Sequence, residues 1–152
     1  MRSRVRLALL AALVSGPVRA DWQYTKWGMT PEQLVAASGG GAVLLPEGRR
    51  VRVPPLVTMA TGEFQDGPLM LRTVFSFTIA GGGLACVTYG AAGPDDAAPF
   101  KALLVRRYGP PQRRSGLPAI GLEGLGWKSA TDVIDASFSK EDAPFAMHCK
   151  PE

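Results

Sequence analysis

An alternating pattern at residues 69–90 constrains the fold more than any other feature of this chain. In "LMLRTVFSFTIAGGGLACVTYG" every second side chain of the first half is apolar or β-branched: Leu71, Thr73, Phe75, Phe77 and Ile79. Such period-two alternation predicts a strand that buries one face. The three glycines at 81–83 predict a turn, and a second strand follows from Leu84 to Tyr89. The segment therefore predicts a β-hairpin with one covered face.

Two amphipathic helices are predicted to cover that face. The first begins in "KWGMTPEQLVAAS", where Thr30 as N-cap, Pro31 at the first helical position and Gln33 at the third form a capping box. The second lies in "PDDAAPFKALLVRRYGPP", after an aspartate cap. Its apolar side chains fall on one side of the helix: Phe100, Leu103, Leu104 and Tyr108.

The remaining strand-like segments complete an α+β pattern. Strands are predicted near residues 22–25, at 56–64, within 126–138 and at 143–150, whereas the glycine-rich "QRRSGLPAIGLEGL" is predicted to be a loop. Short connections between successive strands favour antiparallel pairing. We therefore expect an α+β fold, with a mainly antiparallel sheet of about five to six strands and two helices packed on one face.

Residues 1–20 are predicted to be a cleavable Sec signal peptide and not part of the fold. Three arginines precede an apolar run at 7–14, and the segment ends in Val18-Arg19-Ala20, which suits signal peptidase. The run is shorter than the roughly 20 apolar residues of a membrane-spanning helix. We therefore predict cleavage after Ala20, a single α+β domain over residues 21–152, no stable membrane span, and a periplasmic or secreted location.

The same segment changes the interpretation of the charge. The chain has 17 basic and 13 acidic residues, but residues 1–20 hold four of the arginines and none of the acids. The remainder therefore has equal numbers of basic and acidic residues. This balance gives no support for nucleic acid as a partner, since nucleic-acid-binding domains are usually basic.

The two cysteines, Cys86 and Cys149, are predicted to form a disulfide bond, because an exported chain folds in an oxidising compartment. The bond would pin the last strand to the middle of the sheet. Two buried free thiols or a redox pair are the alternatives, although redox pairs usually lie close together in sequence.

Three short motifs resemble those of a group of small exported bacterial proteins of unknown function. They are "WGMTPEQ" at 27–33, "LLVRRYGPP" at 103–111 and "GWKSATDVIDASF" at 126–138. They resemble a W-G-M-[TS]-x-E helix start, an L-x-x-x-Y-G-x-P helix end, and a tryptophan strand followed by a T-x-I-type strand. The chain is more weakly similar to envelope domains that pack helices on an antiparallel sheet, such as outer-membrane assembly lipoproteins and β-lactamase inhibitor proteins. It lacks the lipobox cysteine of the lipoproteins. The resemblance implies an envelope location but no particular activity.

Candidate catalytic groups are few. His148 is the only histidine and is predicted to be exposed on a strand. A metal pair with Cys149 is disfavoured, because adjacent strand residues point to opposite faces. Carboxylate pairs at 63 and 66, 95 and 96, and 132 and 135 are candidates for acid–base chemistry. Their positions at strand ends, caps and alternating strand faces disfavour that role, and no catalytic residue, metal site or cofactor is predicted.

The candidate interaction residues are one tryptophan and five arginines: Trp27, Arg49, Arg50, Arg52, Arg106 and Arg107. The arginines suit anionic headgroups, a glycan or an acidic partner, and the alternative is solvated surface. Trp27 is predicted to be core, with a binding anchor as the alternative. The sequence therefore predicts a non-catalytic binding or protein-interaction module for an unknown envelope protein or small ligand. A small envelope hydrolase using carboxylates and arginines, and a carrier of a lipid or small ligand, are the alternatives.

Overall fold

The computed structural model describes residues 22–152. The strands of this part of the chain pair into one antiparallel sheet. The two helices are α1 (Pro31–Ala37) and α2 (Ala97–Tyr108). The strands are β1 (Ala42–Leu44), β2 (Val51–Val53), β3 (Leu56–Asp66), β4 (Leu69–Thr78), β5 (Leu84–Gly90), β6 (Arg113–Leu117), β7 (Leu122–Lys128), β8 (Val133–Phe138) and β9 (Phe145–Cys149). The predicted signal peptide and its cleavage site lie outside the described residues.

The strand order shows two meanders that meet in the middle of the sheet. The order is β1-β3-β4-β5-β9-β8-β7-β6, and β2 also pairs with β3, on the same side as β1. Strands β1 to β5 therefore form one meander and β6 to β9 form the other. They join only where β5 pairs with β9 in this strand path, so that pairing is the seam between them.

The predicted number of strands is wrong, because the described residues contain nine strands and not five to six. Strands β1, β2 and β6 form where none was predicted, and β7 and β8 replace a single strand predicted within 126–138. Residues 22–25 form a turn and not a strand, with the Thr25 amide donating to the Trp22 carbonyl at 2.9 Å. The α+β class, the β4–β5 hairpin and the disulfide bond are confirmed.

The unpredicted strands lack the features by which strands are recognised in a sequence. β1 and β2 have three residues each, too few to establish an alternation, and β2 is exposed throughout. β6 contains two arginines and a glycine, residue types that do not favour strands by themselves. Each is held by hydrogen bonding to a longer neighbour, β3 or β7, which the local sequence does not reveal.

The face of the sheet beneath the helices forms the core. One register row on this face crosses five strands, and all of its side chains are buried: Thr73, Tyr89, Ala146, Ala136 and Leu125. Helix α2 packs here through Phe100, whose ring centroid lies 6.1 Å from those of Tyr89 and Phe138. Leu34 of α1 joins the same cluster. Complete burial of a side chain of this size contributes roughly 1.5–3 kcal/mol.

The start of α1 is built as the sequence predicts. The backbone N–H of Gln33 donates to Thr30 Oγ1 at 3.3 Å, and the backbone N–H of Thr30 donates to Gln33 Oε1 at 3.0 Å. The capping box is therefore complete, and Pro31 occupies the first turn, where its missing N–H costs no hydrogen bond.

The segment just before α1 is tied to the start of β5. The Gly28 amide donates to the Leu84 carbonyl at 2.9 Å, and the Leu84 amide donates to the Met29 carbonyl at 2.8 Å. Gly28 has a φ of +86°, and a Cβ on Gly83 would lie only 3.0 Å from Gly28 Cα. Glycine therefore suits both positions, Gly28 for its left-handed backbone conformation and Gly83 for the close approach to Gly28. Gly28 in the "WGM" motif thus has a structural role.

The opposite face of the sheet, here called the open face, carries neither described helix. Phe145 and Met147 of β9 are exposed there, and Cys149 follows them on the same face in the alternation of the strand. Cys86 and Cys149 are direct register partners across the seam, and their sulfurs form the disulfide bond. The bond fits a protein exported to an oxidising compartment. No helix within residues 22–152 has both the length and the apolar character that a membrane crossing requires.

Candidate functional site

The segment 42–53, here called the basic edge, forms the border of the sheet beside β3. It consists of β1, a loop containing the 3-10 turn Glu47–Arg49, and β2. Two hydrogen bonds fix the base of the loop: Arg50 Nε donates to the Leu45 carbonyl at 3.2 Å, and the Leu45 amide donates to the Met59 carbonyl at 2.8 Å. Within the described residues, β1 and β2 pair only with β3, so their outer sides face no other strand.

The side chains of β2 divide by chemistry between the two faces of the sheet. Val51 and Val53 are register partners of Thr58 and Leu56, and they are 58% and 67% exposed. Arg52 lies between them and therefore points to the other face. The strand thus presents aliphatic groups on one side and a guanidinium on the other.

The five arginines predicted as interaction residues fall into two groups. Arg106 and Arg107 of α2 both form ion pairs with Asp66 at the end of β3. Arg49, Arg50 and Arg52 form no ion pair with any carboxylate of residues 22–152.

These pairings separate a structural cluster from a candidate binding cluster. The guanidinium of Arg107 also lies over the Phe64 ring, 5.9 Å from its centroid, so this pair of arginines ties α2 to β3. The basic edge holds a single acid, Glu47, beside its three arginines. Among residues 22–152, no ion pair neutralises these three arginines.

Trp27, the sixth predicted interaction residue, packs against the core and is only partly buried. Its Nε1 donates to the Thr131 carbonyl at 3.1 Å, and its ring meets the His148 ring edge-on at 5.3 Å between centroids. This geometry favours a packing role for Trp27 over a binding anchor. It also completes the structural account of the Trp27–Gly28 pair.

The prediction that His148 is exposed is wrong, because the side chain is only 3% exposed. On β9 the side chains of Ala146 and His148 face the helices, whereas those of Phe145 and Met147 face outward. His148 Nε2 lies 2.6 Å from Asp132 Oδ1, and Asp132 is 7% exposed. The sequence therefore predicted this strand, but it did not predict which of its two sets of alternating side chains is buried.

The carboxylate of Asp132 collects several hydrogen bonds. Its Oδ2 accepts from Thr131 Oγ1 at 2.6 Å and from Ser129 Oγ at 3.3 Å, while Oδ1 meets His148. In a hydrolytic triad the nucleophilic hydroxyl meets the imidazole and not the carboxylate. These two hydroxyls are therefore not placed as triad nucleophiles.

The carboxylate pairs predicted as acid–base candidates do not converge. Asp135 lies on β8, with its side chain on the open face, where it pairs with Arg113. It therefore points away from the buried Asp132. Asp66 pairs with α2 arginines, and Glu63 is exposed on β3. Asp95 and Asp96 lie in the 3-10 turn that leads into α2. None of these pairs shares a cleft in the geometry described.

A pair of tyrosines forms a second buried polar contact, which the sequence did not indicate. The hydroxyls of Tyr89 on β5 and Tyr108 on α2 lie 2.8 Å apart. Burial raises the pKa of both side chains, strongly for Tyr89, and burial also raises the pKa of Tyr24. The one available clue was the position of Tyr108 on the apolar side of the second helix.

We expect all three tyrosines to ionise above their ordinary pKa of about 10 in the folded protein. Their folded pKa values are raised, so their stabilisation is complete below the unfolded pKa and is lost as pH rises through the folded values. The urea midpoint should therefore fall steadily above about pH 10, while absorbance at 295 nm lags behind that of unfolded protein. Tyr89→Phe should reduce the pH dependence more than Tyr24→Phe, its half-buried control. Native tyrosines that titrate together at their ordinary pKa would contradict this expectation.

Known proteins supply no family for this chain, since no family model, curated protein or solved structure matches it. The likeness to small exported envelope proteins therefore stays a prediction from short motifs.

Proposed function

We propose that this chain is a periplasmic or secreted binding module without a catalytic role, and that it binds its partner through the basic edge. The supporting observation is the combination of exposed valines on a sheet border with three arginines that form no ion pair within residues 22–152. Arginine is enriched in protein interfaces and among their energetically dominant residues. The disulfide bond supports the proposed compartment.

The group of hydrogen-bonded side chains around Asp132, which are those of Ser129, Thr131 and His148, favours binding over hydrolysis. A general base must come within hydrogen-bond reach of its substrate, but Asp132 and His148 are buried, and His148 contacts the rings of Trp27 and Tyr108. The hydrolase alternative also finds no converging pair among the carboxylates predicted as candidates, all of which lie within residues 22–152. The carrier alternative has less support because Phe100, Leu103 and Leu104 fill the space between α2 and the sheet.

Charge reversal on the basic edge tests the proposed function. The exported, disulfide-bonded protein would be immobilised and exposed to envelope extract of its source organism, alongside the triple variant Arg49→Glu/Arg50→Glu/Arg52→Glu. Arg72→Glu is the matched control, because Arg72 is an exposed arginine on β4 that also forms no ion pair within residues 22–152. We expect a partner to be retained by wild type and control and lost by the triple variant.

Circular dichroism and thermal unfolding would establish that the triple variant is folded. Equal retention of the partner by the folded triple variant would contradict the role of the basic edge. Failure of the wild-type protein to retain any protein or small ligand, assessed by native mass spectrometry, would contradict the binding function itself.

A further inference from the structure

We propose that β2 is the docking site for an extended acidic segment of a partner polypeptide, which adds to the sheet as a new strand. This inference rests on the binding function proposed above and specifies its site and its partner. The partner is defined by chemistry: a strand-forming segment that alternates aliphatic and acidic side chains.

The first support is the open border of β2. The strand pairs with β3 through Val51, Arg52 and Val53, and no strand of the described chain lies on its other side. All three residues are exposed, so neither helix nor loop covers this border. Backbone N–H and C=O groups on an uncovered strand edge can pair with an incoming extended segment.

The second support is the distribution of chemistry between the faces. An added strand also places alternate side chains on opposite faces of the sheet. Side chains beside Val51 and Val53 on the open face would be aliphatic, and the side chain beside Arg52 would be acidic, because such cross-strand pairs are favourable. Arg49, in the turn that leads into β2, extends the positive charge beyond the end of the strand.

Charge excludes the occupants that this chain itself could provide. Two copies of β2 paired about a two-fold axis would bring Arg52 against Arg52, and like charges directly opposite are unfavourable. The other border of the sheet, β6, carries Arg113 and Arg114, which pair with Asp135 and Glu123, so it offers β2 of a second copy no free acidic group next to Arg52. Residues 1–20 contain four arginines and no acid. An acidic segment of a different polypeptide is the occupant that fits.

The test uses the exported, disulfide-bonded protein labelled with ¹⁵N and a capped seven-residue peptide of alternating valine and glutamate. One control peptide replaces glutamate with lysine, a second places the same residues in blocks, and a third carries N-methyl groups on alternate amides. We expect the alternating peptide to shift the amide resonances of β2 at physiological salt. Each control should bind about tenfold more weakly or worse, because each removes charge pairing, facial matching or backbone hydrogen bonds.

Protein variants provide the reciprocal test. Arg52→Glu should weaken binding of the glutamate peptide about tenfold and strengthen binding of the lysine peptide, since a charge-assisted contact is reversed. Arg72→Glu, on the interior strand β4, should leave both affinities unchanged. Val51→Ser/Val53→Ser should weaken binding with Arg52 still in place, because the aliphatic contact is removed.

Four results would overturn the inference: equal binding of the block peptide, unchanged binding by Arg52→Glu, Arg52-dependent binding of phosphatidylglycerol vesicles in place of the peptide, or self-association through β2 in sedimentation equilibrium. If the peptide fails but an envelope partner is still lost on reversal of the basic edge, strand addition is wrong and the binding function stands. If the wild-type protein retains no partner either, both proposals fall.

Discussion

Removal of the Cys86–Cys149 bond is expected to lower the free energy of unfolding by about 4 kcal/mol. The two cysteines are 63 residues apart in sequence, and loop-closure entropy for a loop of that length gives this figure. Their positions are already register partners in β5 and β9. The folded backbone should therefore persist in a Cys86→Ser/Cys149→Ser variant. Domains typically have only about 5–15 kcal/mol of stability, so the loss would be a large part of the total.

Urea unfolding with and without a reducing agent measures this contribution. The reducing agent should move the wild-type curve to that of the double-serine variant and leave the variant unchanged. A wild-type curve within about 1 kcal/mol of the variant would contradict the prediction, and would mean that the reduced, unfolded chain is already compact.

Substitution of Asp132 by alanine is expected to cost about 3 kcal/mol of folding stability. The Asp132 carboxylate accepts from Thr131 and Ser129 and meets His148 Nε2 at 2.6 Å in a buried setting. Its removal leaves those groups without this shared acceptor, and the penalty for a lost buried partner exceeds the net gain from an average hydrogen bond.

Asp135 supplies a matched control on the same strand. It also pairs with a basic residue, Arg113, but both side chains of that pair are about half exposed or more. Asp135→Ala should therefore cost less than about 1 kcal/mol. A double-mutant cycle of Asp132→Ala with His148→Ala should give a coupling of about 1 kcal/mol or more. Equal costs at Asp132 and Asp135 would show that the buried pair contributes no more than a surface ion pair.

The parts of the fold that the sequence predicts are those whose causes are local. The capping box of Thr30 and Gln33 spans four residues, and the β4–β5 hairpin combines a period-two pattern with its own glycine turn. The disulfide bond was predictable because export and an even number of cysteines together limit the choices.

The hairpin of β6 and β7 was missed because the glycines of β7 leave space for side chains of the neighbouring strand β6. A Cβ on Gly124 would lie 2.4 Å from Ser115 Oγ, and one on Gly126 would lie 2.9 Å from a guanidinium nitrogen of Arg113. The β6 side chains therefore lie across bare backbone of β7. A glycine-rich sequence predicts a loop unless that cross-strand relation is known.

The candidate site shows the same limit. The sequence proposed all five arginines, but it could not separate Arg107 from Arg52. The partner of Arg107 is Asp66, 41 positions away in the chain, and fold topology alone brings them together. The buried face of β9 was also predicted wrongly. The outward-facing Phe145 and Met147 are larger than the inward-facing Ala146, so the size of the side chains does not indicate which face is buried.

We expect the seam between the meanders to be the last part of the sheet to form. Within each meander, strands pair with near neighbours in the chain, which close short loops at low entropic cost. β5 and β9 meet only after α2 and three further strands have been passed, so their pairing is expected late in folding. Until then, the two thiols belong to separate halves. We therefore expect the cysteines to be oxidised when the fold is nearly complete. The rate of disulfide formation should then report the docking of the two meanders.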